Sequence, residues 1–234
     1  MKNLLFFLFV IVFIASCNNY ETFPITSAEY TTQKYEMEFI KTFGTPSPNQ
    51  EWGFTETTNE SLAKTRSTKT LTRAEQSIQG DIRIIGEDLS VSSNSDWDFN
   101  DIVLDIKLGP NAIGILQAAG GTLPLRIRHG SFNKEIHELF QVPTSTMVNT
   151  GVGPTKEPII IYFDTEIKNA KSAKKIKLDV FKNNEWIQLK ADKGIPASKI
   201  CVNPTFQIVP EKTDIKTIYG EFKNWIADPR IIWY

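Results

Sequence analysis

From Gly80 onward the chain consists of short β-rich runs broken by Gly, Pro and Asn, at residues 82–85, 102–108, 112–118, 123–128, 159–163, 174–181, 186–190 and 199–202. Runs of this length with no helical crossover between them cannot build a parallel sheet, so they point to antiparallel sheets stacked face to face. In 102–108, Ile102, Leu104, Ile106 and Leu108 alternate with Val103, Asp105 and Lys107, the period of a half-buried strand. Asn183 and Asn184 stand between two strand-like runs, as in a hairpin. The expected fold is mainly β: a jelly-roll-like antiparallel β-sandwich over 80–234, with a short N-terminal helix and a C-terminal amphipathic helix.

The helical segments follow from spacing. In 28–43, Tyr35, Phe39, Ile40 and Phe43 recur at helical intervals and Gly44 follows as a stop. A second, short helix is expected over 134–140. At the C-terminus Ile215, Ile218, Tyr219, Phe222, Trp225 and Ile226 form an apolar stripe that requires a sheet or groove to cover it. The segment 27–54 combines the first helix with a Pro- and Trp-containing stretch, PSPNQEWGF, whose prolines impose an extended or turned path. Residues 55–79 are rich in Thr, Ser, Lys and Arg with few apolar residues, and read as a flexible linker.

The chain opens on MKNLLFFLFVIVFIAS, with Lys2 as its one charge and an uninterrupted apolar run behind it. That is the plan of a signal peptide, over 1–16. The run falls short of the roughly 20 apolar residues a permanent membrane span requires. Ile14-Ala15-Ser16-Cys17 resembles the lipobox of bacterial lipoproteins. That resemblance implies cleavage before Cys17 and palmitate-type acylation there, with 17–26 as a lipidated tether to the outer membrane. Lipid chains anchor because each buried CH₂ contributes roughly 0.8 kcal/mol.

Composition excludes one large class of partner. With 26 Lys and Arg against 27 Asp and Glu, and no long basic block, nucleic acid binding has no electrostatic basis. Lipidation uses one of the two cysteines, so Cys201 has no partner for a disulfide within the chain and reads as a packed small hydrophobe.

One stretch carries chemistry: GEDLSVSSNSDWDFNDIVLDI, residues 86–106. Glu87, Asp88, Asp96, Asp98, Asn100 and Asp101 crowd into it without a single Lys or Arg. Like charges at such density repel unless a cation stands among them. Ca²⁺ takes six to eight oxygens from carboxylates, amides and backbone, so these six residues are the candidate calcium ligands. If Asp96, Asp98 and Asn100 point one way, Trp97 and Phe99 point the other and can enter the core. The spacing is similar to the opening of an EF-hand loop, but Asp101 replaces its glycine and Lys107 its last glutamate, which excludes that motif. The alternative use of such residues is turn capping, which takes one or two of them rather than six.

The same acidic stretch resembles the D-x-D-x-N-D signature of the LruC-domain family, common in lipoproteins of Bacteroides-type bacteria. FGTPSPNQEWGF, ILQAAGGTLPL, EIHELF, MVNTG and FKNWIADPRIIWY also look like family segments, in order, over nearly the whole mature chain. The resemblance implies architecture and envelope location and assigns no activity; calcium in the family is inferred from related acidic motifs. Asn-Asn-Tyr-Glu after Cys17 is poorer in acid than surface-export signals, so the resemblance leaves both faces of the outer membrane open.

An enzyme is not expected. His129, His137 and Glu138 fit no helical zinc spacing, and the chain lacks a G-x-S-x-G elbow. Two glycosidase carboxylates stand about 5 Å or more apart across a cleft, which crowding into one loop does not suit. Residues 118–121 and 150–153 are Gly-rich without the phosphate-loop pattern. The expected function is a lipid-anchored binding module for a glycan or protein ligand, non-enzymatic and calcium-stabilised. The second expectation is a structural subunit of an envelope or surface assembly, pilus-like or adhesive. Trp52, Trp97, Trp186, Trp225 and Trp233 are candidates either for a sugar-stacking surface or for the core.

Overall fold

The computed structural model describes residues 27–56, 80–88 and 95–234. Cys17 and its flanking leader and tether, most of the 55–79 segment, and residues 89–94 of the acidic loop lie outside the described residues. The elements, in order, are α1 (Ser27–Phe43), β1 (Ile82–Gly86), β2 (Ile102–Lys107), β3 (Ile113–Ala118), β4 (Leu125–His129), β5 (Phe132–Glu135) and α2 (Ile136–Phe140). They continue with β6 (Ile159–Tyr162), α3 (Ala170–Ala173), β7 (Lys177–Lys182), β8 (Glu185–Gln188), β9 (Lys199–Val202), α4 (Ile215–Ile218) and α5 (Phe222–Ala227).

The strands form two antiparallel sheets, β6-β3-β2-β1-β9 and β5-β4-β7-β8, around a shared apolar core: a β-sandwich. The chain lays down β1 to β3 as a meander, crosses to make the β4-β5 hairpin, and returns to place β6 beside β3. It then crosses again for the β7-β8 hairpin and ends with β9 beside β1. The Asn183-Asn184 turn is built as expected, with φ of 52° and 63°, the doubly left-handed geometry whose twist matches that of the flanking strands.

Burial on β2 departs from the half-buried expectation. Ile102, Leu104 and Ile106 share a face with Gly86, where an added Cβ would stand 3.1 Å from Leu189, just beyond the second sheet's β8. The opposite face is covered too, and Asp105 on it is buried. Arg83 of β1 makes that burial tolerable: its Nε donates to Asp105 Oδ1 at 2.6 Å and its Nη2 to Oδ2 at 2.9 Å. Gln117 Nε2 adds a third bond at 3.0 Å, and Arg83 Nη1 donates to the Phe206 carbonyl of the covering segment.

Residues 27–54 join the same core. Tyr35, Phe39 and Phe43 line one face of α1 and are buried beside Trp52 and Trp97. Ile40, expected in that stripe, is 40% exposed because its position faces away from theirs. The helix stops at Gly44, whose φ of 96° and N–H bond to the Ile40 carbonyl at 2.8 Å make a left-handed cap. Trp52 Nε1 then donates to the carbonyls of Asp192 and Ile195, at 3.0 and 2.9 Å.

Two helices differ in detail from the spacing. Residues 132–135 pair with β4 as a strand, so the helix expected from 134 begins at Ile136. The C-terminal stripe splits into α4 and α5 at Tyr219, whose ring leaves the helical path to stack on Phe206 with centroids 4.7 Å apart. No helix among the described residues is long and apolar enough to cross a membrane.

Candidate metal centre

Strand register brings the acidic residues together. Gly86 pairs with Ile102, so the β1-β2 connection returns upon itself and Glu87 and Asp88 face Asn100 and Asp101. Asp88 N–H donates to Asp101 Oδ2 at 2.5 Å, and Phe99 N–H to Glu87 Oε2 at 3.3 Å. The alternation of Asp96, Asp98 and Asn100 with Trp97 and Phe99 holds, but not as a strand. Trp97 and Phe99 have φ of 62° and 53°, and these left-handed residues turn their rings into the core. Side chains this bulky adopt that region only when the surroundings hold them there.

Two more segments close the pocket. After β3, Gly120 N–H donates to the Asp101 carbonyl at 3.1 Å, and Gly121 lies so close that a Cβ on it would stand 2.0 Å from Asp88 Oδ2 and 3.2 Å from Asp101 Oδ1. His137, fully buried, fixes that glycine through Nε2 and its carbonyl at 3.0 Å, while Nδ1 meets Glu135 Oε1 at 2.6 Å. On the other side, Asn100 Nδ2 donates to the Val209 carbonyl at 2.9 Å and Lys212 N–H to Asp98 Oδ2 at 2.9 Å. This second segment carries Glu211, which the sequence reading missed.

The electrostatics are dominated by negative charge, with Lys212 beside Asp96 at the rim. Glu87, Asp88, Asp98, Asn100 and Asp101 are all buried and Asp96 is half-buried. None of these carboxylates takes part in an ion pair among the described residues. Burial first, then the neighbouring negative charges of Asp98, Asp96 and Asp88, holds the Glu87 carboxyl well above its usual range. Asp101 is raised the same way, by burial and then Asp88 and Glu87. Burial pushes Asp88 up to about 7; burial and Asp96 push Asp98 to about 8 and Glu211 to about 7.

Hydrogen bonding leaves part of this oxygen set idle. Glu87 Oε1, Asp88 Oδ2, Asn100 Oδ1 and Glu211 Oε2 are buried atoms with no partner among the described residues. The Asn100 amide is oriented by its bond to Val209, so its oxygen is the free end. Buried polar atoms are nearly always satisfied, and orphans of this kind mark an ion, an ordered water or strain. Donor oxygens of Glu87, Asp88 and Asp101 all lie within 4.8 Å of one another, as do those of Glu87, Asp96 and Asp98. Two ligands of one Ca²⁺, each 2.3–2.6 Å from it, stand at most about 5 Å apart, so each triad spans what one ion can hold. The residues fit a hard divalent cation. Five of the six predicted ligands belong to these two triads, the sixth, Asn100, has its Oδ1 against Gly120, and turn capping accounts for only some of their oxygens.

Other titratable groups sit elsewhere. His129 packs edge-on against Phe163, with centroids 5.2 Å apart. Cys201 is buried in β9, with its thiol pushed up to about 12 by desolvation. Lys199, also buried, donates to the carbonyls of Lys174 and Ile176 at 2.9 and 2.8 Å and so pins β9 to the segment entering β7. Four of the five tryptophans are core residues; Trp186, 37% exposed, lies on the outer face of the second sheet. There the Arg126 guanidinium stands 4.0 Å above its ring and Phe181 packs beside it. Comparison with family models, curated proteins and solved structures finds no match to this chain.

Proposed function

We propose that this chain is a lipid-anchored envelope protein, held in the outer membrane through Cys17, whose β-sandwich is a calcium-stabilised, non-enzymatic module for binding a glycan or protein ligand. The observation that carries the reading is the buried carboxylate pocket with its idle oxygens. Such a pocket ties β1, β2, the glycine loop after β3 and the 209–212 segment to one point, which is what a structural cation does. The likeness of the acidic signature to LruC-domain lipoproteins supports the location.

The non-enzymatic part of this reading is supported by the uses to which candidate groups are put. His137 is bonded at both nitrogens, and Cys201 is buried with a raised pKa. A ligand surface is offered by the outer face of the second sheet. Trp186 and Phe181 give it an apolar platform, and Gln188 together with Arg126 and Arg128, which the buried Asp179 holds in place, gives it hydrogen-bonding groups. The second reading, a subunit of an envelope assembly, is favoured by the edge strand β6, where Tyr162 is 73% and Ile160 38% exposed.

The full chain, with calcium and with chelator, on a glycan array and on native gels separates these readings. The proposal expects a monomer retained by a glycan or protein ligand, with retention reduced in chelator and lost in Trp186→Ala. A ladder of oligomers abolished by Tyr162→Lys would replace it with assembly. Fatty-acid labelling that persists in Cys17→Ser would remove the anchor.

A further inference from the structure

We propose that the acidic pocket holds two divalent cations, with the Glu87 carboxylate bridging them. This rests on the cation reading above and adds to it the number of ions and the role of Glu87. Glu87 belongs to both donor triads, with Asp88 and Asp101 on one side and with Asp96 and Asp98 on the other. The four aspartates do not gather within one such sphere, so a single ion among Asp88, Asp101 and Glu87 leaves Asp96 and Asp98 facing each other unneutralised.

Charge points the same way. Glu87, Asp88, Asp96, Asp98, Asp101 and Glu211 bring six negative charges to the pocket, and Lys212 is the cation beside Asp96 and Glu211. One dication neutralises a third of that charge; two leave a residue that Lys212 and the surrounding N–H donors can balance. A second observation, independent of the acidic count, lies in the unpartnered atoms. Glu87 Oε1 and Asp88 Oδ2 are buried and unbonded within the first triad, where the missing Gly121 Cβ leaves the approach to Asp88 Oδ2 and Asp101 Oδ1 clear. Glu211 Oε2 is likewise unbonded, on the Asp96 side, and its charge adds to that of the second triad.

The two positions differ in access. Glu87, Asp88 and Asp101 are 0%, 1% and 5% exposed, whereas Asp96 lies at the rim. The inner ion is therefore the slowly exchanging one, and the outer ion is the weaker and faster. The full chain, stripped with chelator and dialysed against millimolar calcium, is expected to carry two ions per molecule by elemental analysis. Asp96→Asn, at the rim, is expected to carry one, with its circular dichroism unchanged.

Terbium titration read through emission sensitised by Trp97 counts ions on the unmutated chain, with an expected end point at two equivalents and two rates of release into chelator. One ion per molecule by both measurements overturns the second cation and the bridging role while leaving the single-ion reading intact. No ion by either overturns both.

Discussion

If the pocket holds a cation as proposed, removing it and raising the pH together place the pocket under its greatest strain. In the ion-free protein, burial and neighbouring charge hold Asp88 at about 7 and Asp98 at about 8, whereas both titrate near 3.9 in an unfolded chain. Between about pH 5 and 6.5 each of the two carries a proton in the folded state that the unfolded state lacks. Stability then falls as pH rises, by about 1.4 kcal/mol per pH unit for each such proton. The contribution of the neutral carboxyls is complete below about pH 4 and is lost as pH climbs through 7 to 8. Glu87 and Asp101, also raised, act in the same sense.

In a domain of this size 1 kcal/mol moves Tm by roughly 2–4 °C. The two aspartates thus lower the melting temperature of the chelated protein by about 6–11 °C per pH unit over that range. The proposed calcium ion requires the charged form, so the protection it gives is expected to grow with pH and the loaded protein to keep a nearly level Tm. Differential scanning calorimetry from pH 5 to 8, in calcium and in chelator, reads the gap between the two curves. Parallel curves, or a chelated protein that gains stability toward pH 8, would refute the reasoning.

Gly121→Ala drives a methyl into Asp88 Oδ2, so it is expected to abolish calcium retention and lower stability by about 2 kcal/mol or more, measured by urea unfolding with and without calcium. Arg83→Met strands a buried Asp105 and is expected to cost about 3–5 kcal/mol, most of it recovered in the Arg83→Met, Asp105→Leu double variant. Phe39→Ala, in the aromatic core between α1 and Trp52, is expected to cost about 3–5 kcal/mol, whereas Trp186→Ala on the outer face costs under about 1 kcal/mol. Equal losses for the two aromatic variants would show that α1 adds little to the core.

Strand positions were legible because β-sandwich strands are short, apolar and punctuated. All eight expected runs fall on strands, and the left-handed Asn183-Asn184 turn is the kind of local signal that survives folding. The missed strand, β5, has the sequence Phe-Asn-Lys-Glu, which carries no β pattern and is held by its pairing with β4. The buried Asp105 was invisible for a similar reason: Arg83 lies 22 residues earlier, and only the β1-β2 register sets them side by side.

The candidate site was legible as a composition anomaly in one loop, since six oxygen-bearing residues without a cation stand out along the chain. Its geometry was not. The left-handed backbone at Trp97 and Phe99 reproduces the side-chain alternation of a strand by another route. Gly120 and Gly121 read as turn residues, and their close approach to Asn100 and Asp88 emerges only once β3 is docked. Glu211 gives no local sign of its role, because a lone glutamate after Pro210 resembles any loop residue until the 209–212 segment closes over the pocket.

Calorimetric titration of calcium into the chelator-stripped full chain near pH 6.5, in two buffers of unlike ionisation heat, addresses the cation directly. Saturable binding is expected, with a heat that differs between the buffers, because carboxyls held neutral in the empty pocket must release their protons as the ion enters. Absence of saturable binding, or a heat identical in both buffers, would contradict a pocket whose charge is neutralised by a metal.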